Sequence, residues 1–168
     1  LSYPVDLTFD GTDTLYVANR PWPYGGPTNI NTIEMFSTNL TPLGSFASGL
    51  NNPWGVAFDD EGFFYVANSG DNTILWFWPD GASNLFANAS SGLSDPRGLA
   101  FDSQGLLYVA NYGNGTIGRY TPEGVGTVFA SGLDSPISIA IFPGSNPPDI
   151  VLSSTDTEEN QPGGTMVG

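Results

Sequence analysis

The chain repeats itself, and self-similarity at a fixed period restricts a fold more than any local propensity does. Segments Pro4 to Asn19, Pro53 to Asn68 and Pro96 to Asn111 each read P-x-x-L/V-x-F-D, then a Gly-containing turn, then an aromatic-rich run ending Y-V-A-N. Each is followed by a Thr-Ile pair (Thr32-Ile33, Thr73-Ile74, Thr116-Ile117), by an aromatic residue and by a proline. Each closes on F-A and a G-L turn: Phe46-Ala47 with Gly49-Leu50, Phe86-Ala87 with Gly92-Leu93, and Phe129-Ala130 with Gly132-Leu133. A degenerate fourth copy starts at Pro136, carries Ile139-Ala140-Ile141 and Ile150-Val151-Leu152, and stops at Thr165-Met166-Val167. The marker prolines are 49, 43 and 40 residues apart, a period that fits the four-stranded blade of a β-propeller.

The expected fold is therefore all-β: a propeller of four-stranded antiparallel blades, about four in these 168 residues, the last incomplete. A single domain divides into blade 1 (1–50), blade 2 (51–93), blade 3 (94–133) and partial blade 4 (134–168). The strands, A to D in each blade, are short, rich in β-branched and aromatic residues, and separated by turns such as Asp59-Asp60-Glu61-Gly62. No stretch has a 3.6-residue apolar period, so helix is expected to be nearly absent. Apolar residues at both parities in Ile74, Leu75, Trp76 and Phe77 fit a sheet buried on both faces between neighbouring blades. Tyr16, Tyr65 and Tyr108, with Val17, Val66 and Val109, are predicted to occupy equivalent, largely buried blade positions. Asp10, Asp59 and Asp102 end strand A and read as turn-formers. Asn19, Asn68 and Asn111 end strand B, where an Asx side chain can bond the backbone of the following turn.

Composition removes many functions. Only three basic residues, Arg20, Arg97 and Arg119, face 17 carboxylates, for a formal charge of −14. Nucleic acid and anionic membrane surfaces are poor partners for such a chain. It has neither Cys nor His, which excludes disulfides, thiol nucleophiles, imidazole bases and nearly every zinc, copper or haem site, but leaves oxygen-ligated calcium. No run approaches the ~20 apolar residues of a membrane span, and the first residues lack the features of a signal peptide; any targeting segment is expected outside this sequence. Freedom from Cys and Lys, with an acidic, Gly- and Asn-rich make-up, fits an extracellular or cell-surface protein. Sequons stand at Asn39, Asn88 and Asn114.

The motifs P-x-G-L-A-F-D, L-Y-V-A-N, N-x-T-I and F-A-S-G-L resemble NHL-type β-propeller repeats, as found in secreted bacterial proteins. The resemblance implies a ring of six or so blades, so the open edges of this chain are expected to be closed by further sequence or by other protomers. Gluconolactonase-type propellers are more distantly similar, and their resemblance implies Asn or Asp calcium ligands just after the marker proline. Here Val5, Trp54, Arg97 and Ile137 take those places, and an arginine repels a cation. Peptide-amide lyases of the same superfamily imply His-ligated zinc, which a chain without His does not supply.

In an antiparallel blade the B–C loops and D–A connections share one end, and binding residues concentrate on loops held by a rigid scaffold. The B–C connection is four residues in blades 2 and 3 but twelve in blade 1, from Arg20 to Asn31. That insertion presents Trp22 and Tyr24 in a Pro-rich loop, suited to stacking on a sugar or a peptide or to covering a blade edge. Trp22, Tyr24, Trp54 and Arg97 are the candidate binding face. Arg97 is expected either to bind a carboxylate-bearing ligand or to pair with Asp95 or Asp134. No catalytic set or metal site is assigned, and calcium is at most a weak expectation. The leading functional expectation is a non-catalytic extracellular scaffold for protein or carbohydrate recognition. The alternatives are a subunit of a surface layer, matrix or filament assembled through open blade edges, and a calcium-dependent lactonase-like hydrolase with ligands outside this chain.

Overall fold

The computed structural model describes residues 3–21 and 30–142, together with the backbone of 150–154. The first sheet joins β1 (Pro4–Phe9), β2 (Thr14–Asn19), β3 (Thr32–Ser37) and β4 (Pro42–Ser48) in sequential order. The second joins β5 (Pro53–Phe58), β6 (Phe64–Asn68), β7 (Thr73–Phe77) and β8 (Ser83–Ala87). The third joins β9 (Pro96–Phe101), β10 (Leu107–Asn111), β11 (Thr116–Tyr120) and β12 (Gly126–Ala130). A fourth pairs β13 (Pro136–Ile141) with β14 (Ile150–Ser154). Every pairing is antiparallel. The only helical element among the described residues is a 3-10 turn, Ala89–Ser91. The chain is thus an all-β propeller of three four-stranded blades plus part of a fourth; Thr165-Met166-Val167 lies outside the described residues.

The strands β1, β5, β9 and β13 pack on one another in succession and form the inner wall. A proline opens each of them, where its missing N–H removes nothing from the ladder. Directly after that proline, all four inner strands carry a register shift against the second strand. Such a bulge re-aims side chains and adds twist, so the residue after the proline departs from the regular face alternation.

Blades are held together by one aromatic arrangement used repeatedly. Tyr16 packs edge-on against Phe46 of its own blade at 5.3 Å and Phe58 of the next at 5.2 Å. Tyr65 does the same with Phe86 at 5.2 Å and Phe101 at 4.9 Å. Tyr108 keeps the first contact, with Phe129 at 5.2 Å, and packs near Ile141 in place of a second ring. Val17, Val66 and Val109 are buried, as are Tyr65 and Tyr108. Tyr16 is partly buried, and it lines a groove with Phe46, Phe58 and Trp78 between blades 1 and 2.

Blade 1 differs from those behind it. Leu7 and Phe9 occupy the repeat positions of Val56 and Phe58, which join the core between blades 1 and 2. Among the described residues no blade packs against them, and Leu7 and Phe9 are 57% and 53% exposed.

The turn role of the strand-A aspartates is visible in detail. Oδ1 of Asp59 accepts the N–H groups of Glu61 (3.1 Å) and Phe63 (2.9 Å), and Oδ1 of Asp102 those of Gln104 and Leu106 (both 2.9 Å). Burial draws the Asp10 carboxyl upward, but donors from Thr14 and Thr12 outweigh it and hold the group below its ordinary value.

Two inner-strand positions yield predictions. A Cβ on Gly98 would lie 2.7 Å from Ser138 Cα and 2.9 Å from Ile137 O, both backbone atoms of the next blade. Gly98→Ala is therefore expected to cost about 1–3 kcal/mol by overpacking, whereas Gly11→Ala, with nothing within 4 Å, should stay within about 0.5 kcal/mol of the parent. Denaturant titrations of the two variants check this. Asp6 stands where blades 2 and 3 have Gly55 and Gly98, and its Oδ2 accepts the Val56 N–H at 2.9 Å, tying blade 1 to blade 2. Burial raises its pKa, offset only in part by the Val56 and Leu7 N–H donors. Between the ordinary aspartate value of 3.8 and the raised one, the folded chain holds a proton that the unfolded chain has released, so this group's contribution to stability falls as pH rises through that window. The stability difference between Asp6→Asn and the parent should then grow in the variant's favour across the window; a pH-independent difference in melting midpoint would contradict it.

Candidate binding face

The face where B–C loops meet D–A connections is built the same way in blades 1 to 3. The residue after the strand-B asparagine donates its N–H to the carbonyl of the residue before the marker proline: Arg20 to Tyr3 (3.2 Å), Ser69 to Asn52 (3.2 Å) and Tyr112 to Asp95 (3.1 Å). The asparagines themselves do structural work, but not on the B–C turn as expected. Asn68 Oδ1 accepts from Asn51 N (3.3 Å) and Asn111 Oδ1 from Ser94 N (3.1 Å), both in the preceding D–A connection, while their amides donate to Thr73 and Thr116. Each of these bonds crosses chain segments 17 residues apart. The side chain of Asn19 is buried without a partner among the described residues.

Adjacent blades are stitched at this end by the loop asparagines Asn31 and Asn72, whose Oδ1 atoms accept the N–H groups of Asn52 (3.0 Å) and Asp95 (2.6 Å). These bonds hold pre-proline residues in a conformation that proline disfavours: φ is +53° at Asn52, +45° at Asp95 and +49° at Ser135. Left-handed backbone at such residues costs on the order of 1–3 kcal/mol each, and Asn and Asp tolerate it best.

The side chains that leave this framework form a ladder across three blades. The Arg20 guanidinium lies 5.1 Å from the Tyr3 ring centre and 4.3 Å from that of Trp54. The Arg97 guanidinium lies 4.4 Å from the same Trp54 ring and 3.3 Å from that of Tyr112. The order Tyr3, Arg20, Trp54, Arg97, Tyr112 thus alternates π-faces with cations, and the central indole is shared by two guanidiniums from the blades on either side. Arg97 also grips Asp95 with a fork, Nε to Oδ1 at 3.3 Å and an Nη to Oδ2 at 3.0 Å; its acidic partner is Asp95 and not Asp134. Arg20 reaches the Asn52 amide oxygen at 3.5 Å and also hydrogen-bonds the Tyr3 side chain. Burial pushes the Arg20 guanidinium below the usual arginine value, Tyr3 draws it back, and the like charge of Arg97 pushes it lower.

Beneath the ladder runs a groove of about 420 Å³ between the inner strands, with Val5, Trp54, Arg97 and Ile137 all in its lining. Of the four face residues named from sequence, the structure brings Trp54 and Arg97 into contact, while Trp22 and Tyr24 lie outside the described residues. Sequence reasoning missed Tyr3, Arg20 and Tyr112 as ladder members. Their signal was positional: Tyr3 precedes a marker proline, and Arg20 and Tyr112 follow a strand-B asparagine, so all three sit at the same end of the blades. Beside the ladder the Asp95 carboxylate is engaged by Arg97, two cations flank Trp54, and no group of three or more Asp, Glu, His or Cys that could hold a metal ion converges among the described residues.

Residues 50–77 and 93–120 match the NHL repeat family. No curated protein sequence matches the chain. Among solved structures it is similar to the calcium-binding protein regucalcin from Agrobacterium tumefaciens (TM-score 0.72, 15% identity, covering 94% of this chain and 55% of that one). It is also similar to the gluconolactonase XC5397 from Xanthomonas campestris (0.64, 24%, 82% and 50%) and to virginiamycin B lyase from Staphylococcus aureus (0.66, 13%, 93% and 57%). The chain spans little more than half the length of these structures, and identities this low establish the fold alone. With the repeat motif matched in two blades and the propeller geometry carried through all four sheets, the chain is a β-propeller in which residues 50–77 and 93–120 match the NHL repeat.

Proposed function

We propose that this chain is a non-catalytic extracellular scaffold that recognises a protein or carbohydrate partner through the B–C and D–A face. The observation that carries the reading is the ladder: three aromatic rings and two guanidiniums from three blades, held at the groove mouth by backbone bonds. Tyr, Trp and Arg are the residue types that dominate binding hot spots, and rigid strands below them limit the ordering cost of binding. The long Pro-rich connection with Trp22 and Tyr24 starts at Arg20, on the same face by chain order. The extracellular assignment rests on the Cys-free, Lys-free acidic composition. A calcium-dependent hydrolase finds no support in the donor set at the described groove mouth.

A second reading, a subunit of a layer, matrix or filament, is favoured by Leu7 and Phe9, apolar side chains exposed on the inner strand of blade 1. Apolar faces of this kind pack on neighbouring blades elsewhere in the same molecule, and light scattering should then find assemblies at micromolar concentration rather than a stable folded monomer.

The face itself is tested by probing glycan and peptide arrays with the chain and with a variant carrying Ala at Trp22, Tyr24, Trp54 and Arg97. The expected result is at least one bound probe whose affinity drops by about tenfold or more in the variant, with near-ultraviolet circular dichroism confirming that the variant is folded. Equal binding by both proteins would place recognition elsewhere, and no bound probe would count against a recognition role.

A further inference from the structure

Resting on the binding-face reading above, the geometry points to Arg20 as the anchor for a carboxylate of an acidic peptide segment in a protein partner. The two arginines of the ladder are chemically unequal. Arg97 has both arms of its fork on Asp95 and is charge-neutralised where it stands. Arg20 has no carboxylate within ion-pair distance among the described residues, although the chain as a whole carries 17. Among the described residues its Nε–H is buried without an acceptor, and so is the indole N–H of Trp54, against which its guanidinium is stacked. Buried donors are nearly always paired in folded proteins, and two unpaired ones in adjoining groups, one of them cationic, match the needs of an acceptor-only anion. A carboxylate is such a group, and it binds guanidinium in a planar fork.

The ring surfaces decide between peptide and sugar. Stacking on a saccharide needs an open aromatic face, yet Tyr3, Trp54 and Tyr112 each already carry a guanidinium, and Trp54 carries two. What the described face offers a partner is therefore cationic N–H donors backed by rings, the chemistry of an acidic side chain at a protein interface.

The test titrates the whole chain with blocked tetraglutamate, its glutamine counterpart and tetragalacturonate, following the Trp54 indole N–H by NMR with assignment from Trp54→Phe. Tetraglutamate should bind, move that resonance downfield, and lose about tenfold or more in affinity in Arg20→Gln, while the glutamine peptide should bind neither protein. Arg20→Lys should recover only part of the loss, because a point charge lacks the fork. Unchanged tetraglutamate affinity in Arg20→Gln, or a lowered melting midpoint as its sole effect, would overturn the proposal and make Arg20 a structural rung. Preference for tetragalacturonate would overturn the peptide source. An array partner lost in the four-residue variant but kept in Arg20→Gln would remove Arg20 while leaving the face intact; a partner kept by both would remove the face itself.

Discussion

The seat of each strand-B tyrosine, between a phenylalanine of its own outer strand and one from the next inner strand, is the contact on which the rest of the molecule depends. In blade 2 it is the Tyr65 ring against Phe86 and Phe101, at interplanar angles of 86° and 70°. Each edge-to-face pair adds about 0.5–1.5 kcal/mol beyond the area it buries, and the arrangement recurs around Tyr16. Repetition matters more than any single pair, because a blade cannot bury its two faces alone and is stable only against neighbours. Drawn together in this way, the inner strands approach until Gly55 sits against the Arg97 carbonyl and Gly98 against Ser138, closer than any side chain allows. Asp6, in the equivalent place of blade 1, substitutes a carboxylate-to-backbone bond for that close approach.

The binding face inherits its geometry from this packing. A bulge directly after each marker proline takes the following residue out of the regular face alternation, and the pre-proline residue is pinned from the neighbouring blade by a loop asparagine. The side chain after one proline thereby meets the side chain after the strand-B asparagine of the blade before it, as Trp54 meets Arg20. Two guanidiniums on one indole would repel each other strongly if neither were compensated; the Asp95 fork on Arg97 removes most of that cost and leaves Arg20 without a carboxylate of its own among the described residues.

Much of the fold was legible because blade architecture is periodic. Strand identities, the aspartate turns and the buried Val66 and Tyr108 follow from motif register, which a single sequence contains in full. What escaped depends on rotation between blades. The strand-B asparagines were assigned to their own turns, since sequence proximity favours local bonds, whereas Asn68 and Asn111 bond a connection brought beside them only by the fold. Arg97 left two readings open, and only coordinates show Asp95 curling back through a left-handed backbone to meet it. Arg20 read as the first residue of a loop; its stacking on a tryptophan 34 positions later has no local signature.

The central claim is that Trp54 is shared by Arg20 and Arg97 and so couples three blades at one face. Aromatic ring currents report this directly. In a proton–carbon NMR spectrum of the assigned chain, the side-chain CH₂ resonances of both arginines should lie well upfield of their ordinary positions and return to them together in Trp54→Leu. Resonances at ordinary positions in the parent, or a response of only one arginine to the substitution, would contradict the shared indole.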